Sequence, residues 1–423
     1  MAQQATLPIS GHELPADAQS LKARLRKSER TNKWRAFLFV VPLLLFILIT
    51  FIIPIGSMLY RSIDNPQVVE TIPRTAAMLA DWTPPDPPSE DVFKTLVAEL
   101  RSPPDPAAIG KLAVRINYEV SGASSLFRKT ERRLKRLDDA APYREQLIKI
   151  DKDWADPELW AAIKSLDSPL TGSYFLAATD MTRNVNGEIE MQPGSRQIYL
   201  TLFWRTFWLS GFITLMTLLL GFPIAHLLAI LPLRTGNLLM ILVLLPFWTS
   251  LLVRTTSWIV LLQTNGVLND LLVWLGIISN DNRIRMIYNK AGTVIAMTHI
   301  LLPFMILPLY SVMRTIKPTY MRAARSLGAT QWTAFWRVYV PQTLPGVGAG
   351  AILVFILAIG YYITPALVGG QDGQLISNMI AYHMQTSLNW GLAAALGSLL
   401  LGAVLVLYFV YNRLVGIENM KLG

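Results

Sequence analysis

The chain has no cysteine, which excludes a disulfide framework, a zinc–thiolate centre, an iron–sulfur cluster and a cysteine nucleophile. Charge is scarce: 16% of the 423 residues are charged, against roughly 25% in globular domains. No G-x-x-x-x-G-K-[ST] phosphate loop occurs, so energy from nucleotide has to be supplied by another chain. His226, His299 and His383 fall on separate segments without an H-E-x-x-H pairing, which argues for hydrogen-bonded packing over metal binding. No catalytic residue, cofactor or metal is expected in this chain.

Apolar residues, in contrast, make up 52% of the sequence, and the mean hydropathy is +0.39. They gather in runs long enough to cross a bilayer. A net charge of +10 raises the question of nucleic acid, and the location of the charges answers it. Up to Arg35 there are seven basic and three acidic residues, from Arg61 to Arg196 eighteen and twenty-one, and beyond that thirteen and four. The positive excess sits beside apolar runs, where it acts as an orientation signal rather than as a nucleic-acid face.

The expected organisation follows. Residues 1–35 form a basic cytoplasmic tail, irregular at its start, and residues 36–60 the first transmembrane helix. Residues 61–197 have the composition of a soluble domain, with a proline-rich acidic stretch from Pro84 to Pro106 and charged helical patterns over Ser124–Ala140 and Tyr143–Leu166. If the first helix exits the membrane, this insert is extracytoplasmic. Its cluster Arg128, Lys129, Arg132, Arg133, Lys135 and Arg136 reads as a solvated helix face. Residues 198–412 hold five further apolar runs, near 203–231, 238–262, 291–313, 347–365 and 391–411, and residues 413–423 form a cytoplasmic C-terminal tail. Six crossings place Arg234, Arg314, Lys317, Arg322, Arg325, Arg337, Arg413 and Lys421 on the inner side with both termini. The fold class is thus an all-α integral membrane protein.

Between the fourth and fifth crossings, the stretch from Lys317 to Pro345 predicts a short helix from Pro318, a break at Gly328, and a second helix capped by Thr330 that ends before Pro341. Ala323, Ala324, Gly328 and Ala329 leave one side without bulk, so another protein can approach the backbone closely. Trp332, Phe335 and Trp336 are suited to hold the second helix against the membrane domain. A plain amphipathic cytoplasmic loop is the alternative that pattern alone leaves open.

The segment resembles the cytoplasmic motif of ABC importer permeases: Glu-Ala-Ala, three variable residues, Gly-Ala, then an apolar stretch ending in Leu-Pro. The matching positions are Ala323, Ala324, Gly328, Ala329 and Pro341, while Arg322 stands where the motif has glutamate. The stretches Leu245–Ser250, Asn265–Gly276 and Pro365–Gly370 are similar to the spermidine/putrescine branch of these permeases. The resemblance covers about Phe203 to Tyr411 and the first helix. It implies that residues 318–341 form a coupling segment seated in an ATPase subunit. It also implies two such ATPases, which bind ATP and Mg, a second permease subunit and a soluble substrate-binding protein, in a bacterial inner membrane. Arg322 cannot make the glutamate's ion pair.

Candidates for the translocation path are Trp248, Arg254, Trp258, Tyr361, Tyr362 and Trp390. Counted along one straight helix from Leu238, Arg254 falls about 24 Å along, near an interface where its guanidinium can snorkel, with Trp258 one turn away to stack on it. The Gly266–Gly276 stretch reads as a short interfacial amphipathic helix, and Gly346 and Gly350 as a close-packing face. Beyond Gln197 the only acids are Asp270, Asp281, Asp372 and Glu418. The branch's polyamine permeases carry glutamates around the segment where this chain has Tyr361 and Ala366. A polyamine cargo is therefore implied by resemblance only, and an opine or amino-acid derivative stays open. So do other classes: an ATP-independent channel or secondary transporter, or a helix-anchored sensor that uses the insert as its ligand domain.

Overall fold

The structure, a computed structural model, describes residues 16–415. The parts of the expected tails at residues 1–15 and 416–423, including Glu418 and Lys421, lie outside the described residues. The described chain is helical throughout apart from short connections and one antiparallel hairpin, Met181–Arg183 against Ile189–Met191. It divides into two units, residues 1–60 and 61–423.

In the first unit a helix begins at Ala16 and runs through the basic stretch. It widens into a π segment at Leu48–Ile52 before resuming at Ile53. Pro54 explains the widening. A proline ring presses on the turn that precedes it, and a wider turn relieves that clash while the chain stays helical. Most apolar side chains along this helix from Phe37 to Tyr60 are exposed, as befits a surface whose solvent is lipid.

The second unit opens with the insert. Asn65 N–H donates to the Pro169 carbonyl (2.9 Å) and Thr171 N–H to that of Ile63 (2.7 Å), so the two ends of a hundred-residue excursion meet. Between them short helices bury one core that includes Phe93, Leu96, Leu112, Phe127, Leu147, Trp154 and Trp160. Phe93 and Trp160 meet edge-on at 4.9 Å, as do Phe127 and Trp154 at 5.3 Å. Each buried indole N–H is satisfied, Trp154 by Thr130 Oγ1 and Trp160 by the Trp154 carbonyl. The proline-rich stretch holds a helix that composition obscures, Glu90–Arg101, whose Val92, Phe93, Leu96, Val97 and Leu100 all face the core.

Residues 173–197 lead from the insert into the membrane helices and are fastened to them. Asp180 is 1% exposed, and its carboxylate accepts the backbone N–H groups of Ile198 (3.0 Å), Tyr199 (3.0 Å) and Leu200 (2.8 Å). These are orphan donors at the start of the Tyr199–Ile230 helix, where an anion is most favourable. Beside it, His383 Nε2 pairs with the Tyr199 hydroxyl and Nδ1 with Ser387 Oγ, both at 2.8 Å. Tyr174 lies so close over Gly391 that a Cβ there would come within 2.3 Å of its ring. Arg115, 2% exposed, sits over the Tyr174 ring at 4.5 Å and donates to Asn65, Glu119 and Ser173.

Among the described residues five helices are long and apolar enough to cross a membrane: Asn32–Arg61, Tyr199–Ile230, Lys290–Thr315, Gln331–Gly360 and Trp390–Arg413. A sixth candidate is a pair, Leu233–Trp248 and Leu251–Leu262, bent by 95°. The single straight helix expected over 238–262 is therefore broken, and Pro246, which has no N–H and crowds the preceding turn, sits in the break. The expected stop before Pro341 is also absent. A π segment at Phe335–Tyr339 ends two residues ahead of that proline, as before Pro54, and the helix continues to Gly360. Gly346 and Gly350 pack this helix against Lys290–Thr315, where added Cβ atoms would lie 3.0 Å from Val312 and 2.8 Å from Met305.

Asp180→Ala leaves three N–H groups without their acceptor and is expected to cost about 2 kcal/mol, read as a lower unfolding temperature by tryptophan fluorescence in detergent. An unchanged temperature contradicts the capping role. Burial also pushes the His383 imidazole down to about 4 from its ordinary 6.5. Because the unfolded chain takes up that proton first, this contribution is complete above about pH 6.5 and declines as pH falls toward 4. His383→Gln should flatten that part of the stability profile, and an unaltered acid slope would count against it.

Candidate functional site

The hairpin after the Lys290–Thr315 helix starts with Pro318–Ser326. Proline at the first helical position needs no N–H donor and has its φ already set. The C-terminus is closed by a complete Schellman arrangement. Gly328 N–H donates to the Arg325 carbonyl at 3.0 Å and Ala329 N–H to that of Ala324 at 3.1 Å. The motif requires a left-handed residue at its centre, and Gly328 has φ +92 with nothing within 4 Å of where a Cβ would sit. The pattern Ala-Ala-x-x-x-Gly-Ala thus has a local cause: Ala324 and Ala329 are the pair that the closure brings together. Thr330 then caps the next turn, its hydroxyl accepting from Thr333 N–H at 3.1 Å.

Arg322, Arg325, Ser326, Gly328, Ala329 and Thr330 line an open depression of about 670 Å³. Around it Leu327 is 89% exposed, and Trp332 and Trp336 are exposed as well. The two tryptophans therefore do not anchor the hairpin. Phe335 does, packing into the membrane core, with Ala334 fully buried beside it. On the same side Arg314 Nη1 donates to the Ala229 carbonyl at 2.8 Å and ties two helix ends together. Arg322 is exposed, with no ion pair among the described residues.

The path candidates do not form one cluster. Arg254 turns back onto the broken helix. Its Nη2 donates to the Pro246 and Thr249 carbonyls and its Nε to Thr249 Oγ1. The break frees carbonyls that hydrocarbon cannot satisfy, and the nearest guanidinium takes them. Nor does Trp258 stack on Arg254, since its indole N–H donates to His299 Nδ1 at 3.2 Å. Tyr361 and Tyr362 occupy a second break, between helices ending at Gly360 and starting at Ile363. Ser377 Oγ and Asn378 Nδ2 donate to their carbonyls, both at 2.7 Å. The elements that carry the two breaks are joined by Thr255 and Thr364, whose hydroxyls lie 3.3 Å apart in the interior.

Trp248 is exposed at the first break, and Trp390 lies apart from both, under the Arg61 guanidinium at 5.7 Å. Sequence reasoning missed Thr255, Thr364, Ser377 and Asn378. Their only signal was polarity beside a proline or a non-helical Tyr-Tyr step. The Gly266–Gly276 stretch forms a helix at Val267–Trp274 with Asn269 buried and Val267, Leu271 and Trp274 exposed. The three histidines have separate partners: Tyr339 for His226, Trp258 for His299, and Tyr199 with Ser387 for His383.

Residues 198–416 match the family model described as "Binding-protein-dependent transport system inner membrane component". The spermidine/putrescine transport system permease protein PotB of Haemophilus influenzae is 37% identical over 226 residues, 53% of this chain and 78% of that protein. Its Escherichia coli namesake is 38% identical over 204 residues, 48% of this chain and 74% of that protein. The E. coli inner membrane ABC transporter permease protein YdcU is 29% identical over 282 residues, 62% of this chain and 87% of that protein. With more than half of its length inside the family model, the chain belongs to the inner-membrane components of binding-protein-dependent transport systems, the permease subunits of ABC importers.

Proposed function

We propose that this permease translocates a small polar organic solute of the polyamine type, and that the hairpin of residues 318–341 is where an ATPase subunit grips it. The carrying observation is the Schellman closure at Gly328, which presents backbone and small side chains at an open edge. A surface of this kind admits close approach by a partner's groove. Arg322, Ala323, Ala324, Gly328 and Ala329 form the contact, and exposed Leu327 and Trp332 supply apolar area. Arg322 asks for a carboxylate opposite it, where permeases with glutamate ask for a cation. Pro341 acts differently from the rest, inside the helix, where it sets the π segment that precedes it.

The working assembly is two ATPases that bind ATP and Mg, this chain paired with a second permease, and a soluble binding protein on the far side. Six crossings, with the bent pair counted as one, put both termini in the cytoplasm and the insert outside. The polyamine assignment is supported by the names of the relatives and limited by charge. Among the described residues beyond Gln197 the acids are Asp270, Asp281 and Asp372, and Asp270 is already paired with Arg283 at 2.8 Å. Carboxylates that hold a polycation inside the membrane therefore come from the second permease. Arg254 is a brace for the bent pair rather than a cargo ligand, while Trp258, Tyr361 and Tyr362 stand at the breaks that border the path.

Gly328→Arg places bulk on the gripping edge and strains the left-handed turn, whereas Gly328→Asn keeps a residue that tolerates that conformation at a cost of about 1 kcal/mol. The arginine variant is expected to insert normally yet retain less than a tenth of the bound ATPase in pull-downs of the intact transporter. The asparagine variant should keep most of it. Full ATPase retention by the arginine variant refutes the docking role.

A further inference from the structure

Force delivered at the hairpin has to reach the membrane helices through whatever joins them, and one such joint is compact and aromatic. The His226 Nδ1 and the Tyr339 hydroxyl are hydrogen-bonded at 2.9 Å, with Tyr339 only 6% exposed. The imidazole meets the Tyr339 ring edge-on at 4.9 Å and the Phe335 ring at 5.6 Å. Phe335 lies over Tyr339 at 5.5 Å and meets Phe222 edge-on at 6.4 Å. Phe222 and His226, one turn apart on the Tyr199–Ile230 helix, thus clasp Phe335 and Tyr339 on the arm.

Phe335 and Tyr339 are the first and last residues of the π segment. Such segments are rare and frequently functional. On one side of this one lies the hairpin, with few buried side chains, and on the other the helix is locked by Gly346 and Gly350 against Val312 and Met305. A displacement of the hairpin is therefore passed on or absorbed at residues 335–339. Phe222 and Phe335 supply apolar area, but a hydrogen bond inside an aromatic enclosure also fixes rotation, because leaving it exposes two unpaired polar groups.

We propose that His226 is a positioning residue for ATP-driven transport. Through its bond to Tyr339 it makes the hairpin arm and the Tyr199–Ile230 helix move as one body when the ATPases close. The inference rests on the hairpin being the ATPase contact and adds the element that receives its motion.

The chain has no native cysteine, so spin labels at Gln331→Cys on the arm and Trp204→Cys on the helix, attached before assembly with the unlabelled partners, report the intended distance. Spectra are taken on the full transporter with its ATPases, without nucleotide and after trapping with ATP and vanadate. With the native joint, trapping leaves the distance distribution in place. Tyr339→Phe, which keeps the ring and removes only the hydroxyl, and His226→Leu each shift it by about 2 Å or more on trapping. The double variant does no more than either alone, and His226→Asn, whose amide can reproduce the Nδ1 contact, restores the native result. Distributions unchanged by trapping in Tyr339→Phe and His226→Leu, or single effects that simply add, overturn the inference. A hairpin that is not the ATPase contact shows itself separately, as normal ATPase retention in Gly328→Arg.

Discussion

An unpaired carbonyl or amide in hydrocarbon costs several kcal/mol. At three places where the backbone leaves helical geometry in this chain, a specific side chain closes the gap. Arg254 takes the carbonyls at the bend after Pro246, and Ser377 and Asn378 take those at Tyr361 and Tyr362. Asp180 takes the amides at the start of Tyr199–Ile230. At the hairpin the Gly328 turn is closed by the backbone itself, and Thr330 caps the turn that follows. Arg322, Arg325 and Leu327 stay exposed beside that closure.

The two ends of the membrane helices are built on opposite principles. At the insert side, buried polar bonds and the Tyr174–Gly391 contact weld the insert to the helix starts, so the insert follows any movement of the Tyr199–Ile230 and Trp390–Val415 helices. At the hairpin side, contacts thin out to an exposed turn held through Phe335, Tyr339 and the Arg314–Ala229 bond. A firmly packed insert end and a lightly held hairpin end suit the proposal that the driving force arrives from outside this chain.

Much of this was legible in the sequence. Apolar run lengths located the membrane helices, since bilayer thickness sets a length that composition alone reveals. The hairpin was legible because glycine, proline and threonine act locally, through φ preference and capping. Proline was taken to end a helix at Pro341, and the run 238–262 was read as one straight helix through Pro246, but the outcome depends on whether the preceding turn widens or a cation takes the freed carbonyls. Asp180 gave no signal, because its partners are backbone amides eighteen to twenty residues away. Of the three aromatics expected to hold the hairpin, Phe335 packs against the core and His226, while Trp332 and Trp336 stay exposed.

The central claim, that the exposed edge at residues 322–329 is a seat for an ATP-hydrolysing subunit, is tested most directly by site-specific cross-linking in the intact transporter. Single cysteines in this cysteine-free chain at Ser326 and Ala329, with exposed Ser102 of the insert as the control, are treated with a short thiol-reactive cross-linker and the products identified by mass spectrometry. The account predicts ATPase peptides joined at Ser326→Cys and Ala329→Cys, in amounts that change on nucleotide trapping, and none at Ser102→Cys. ATPase peptides absent from both hairpin positions, in a preparation that still hydrolyses ATP and transports, would contradict it.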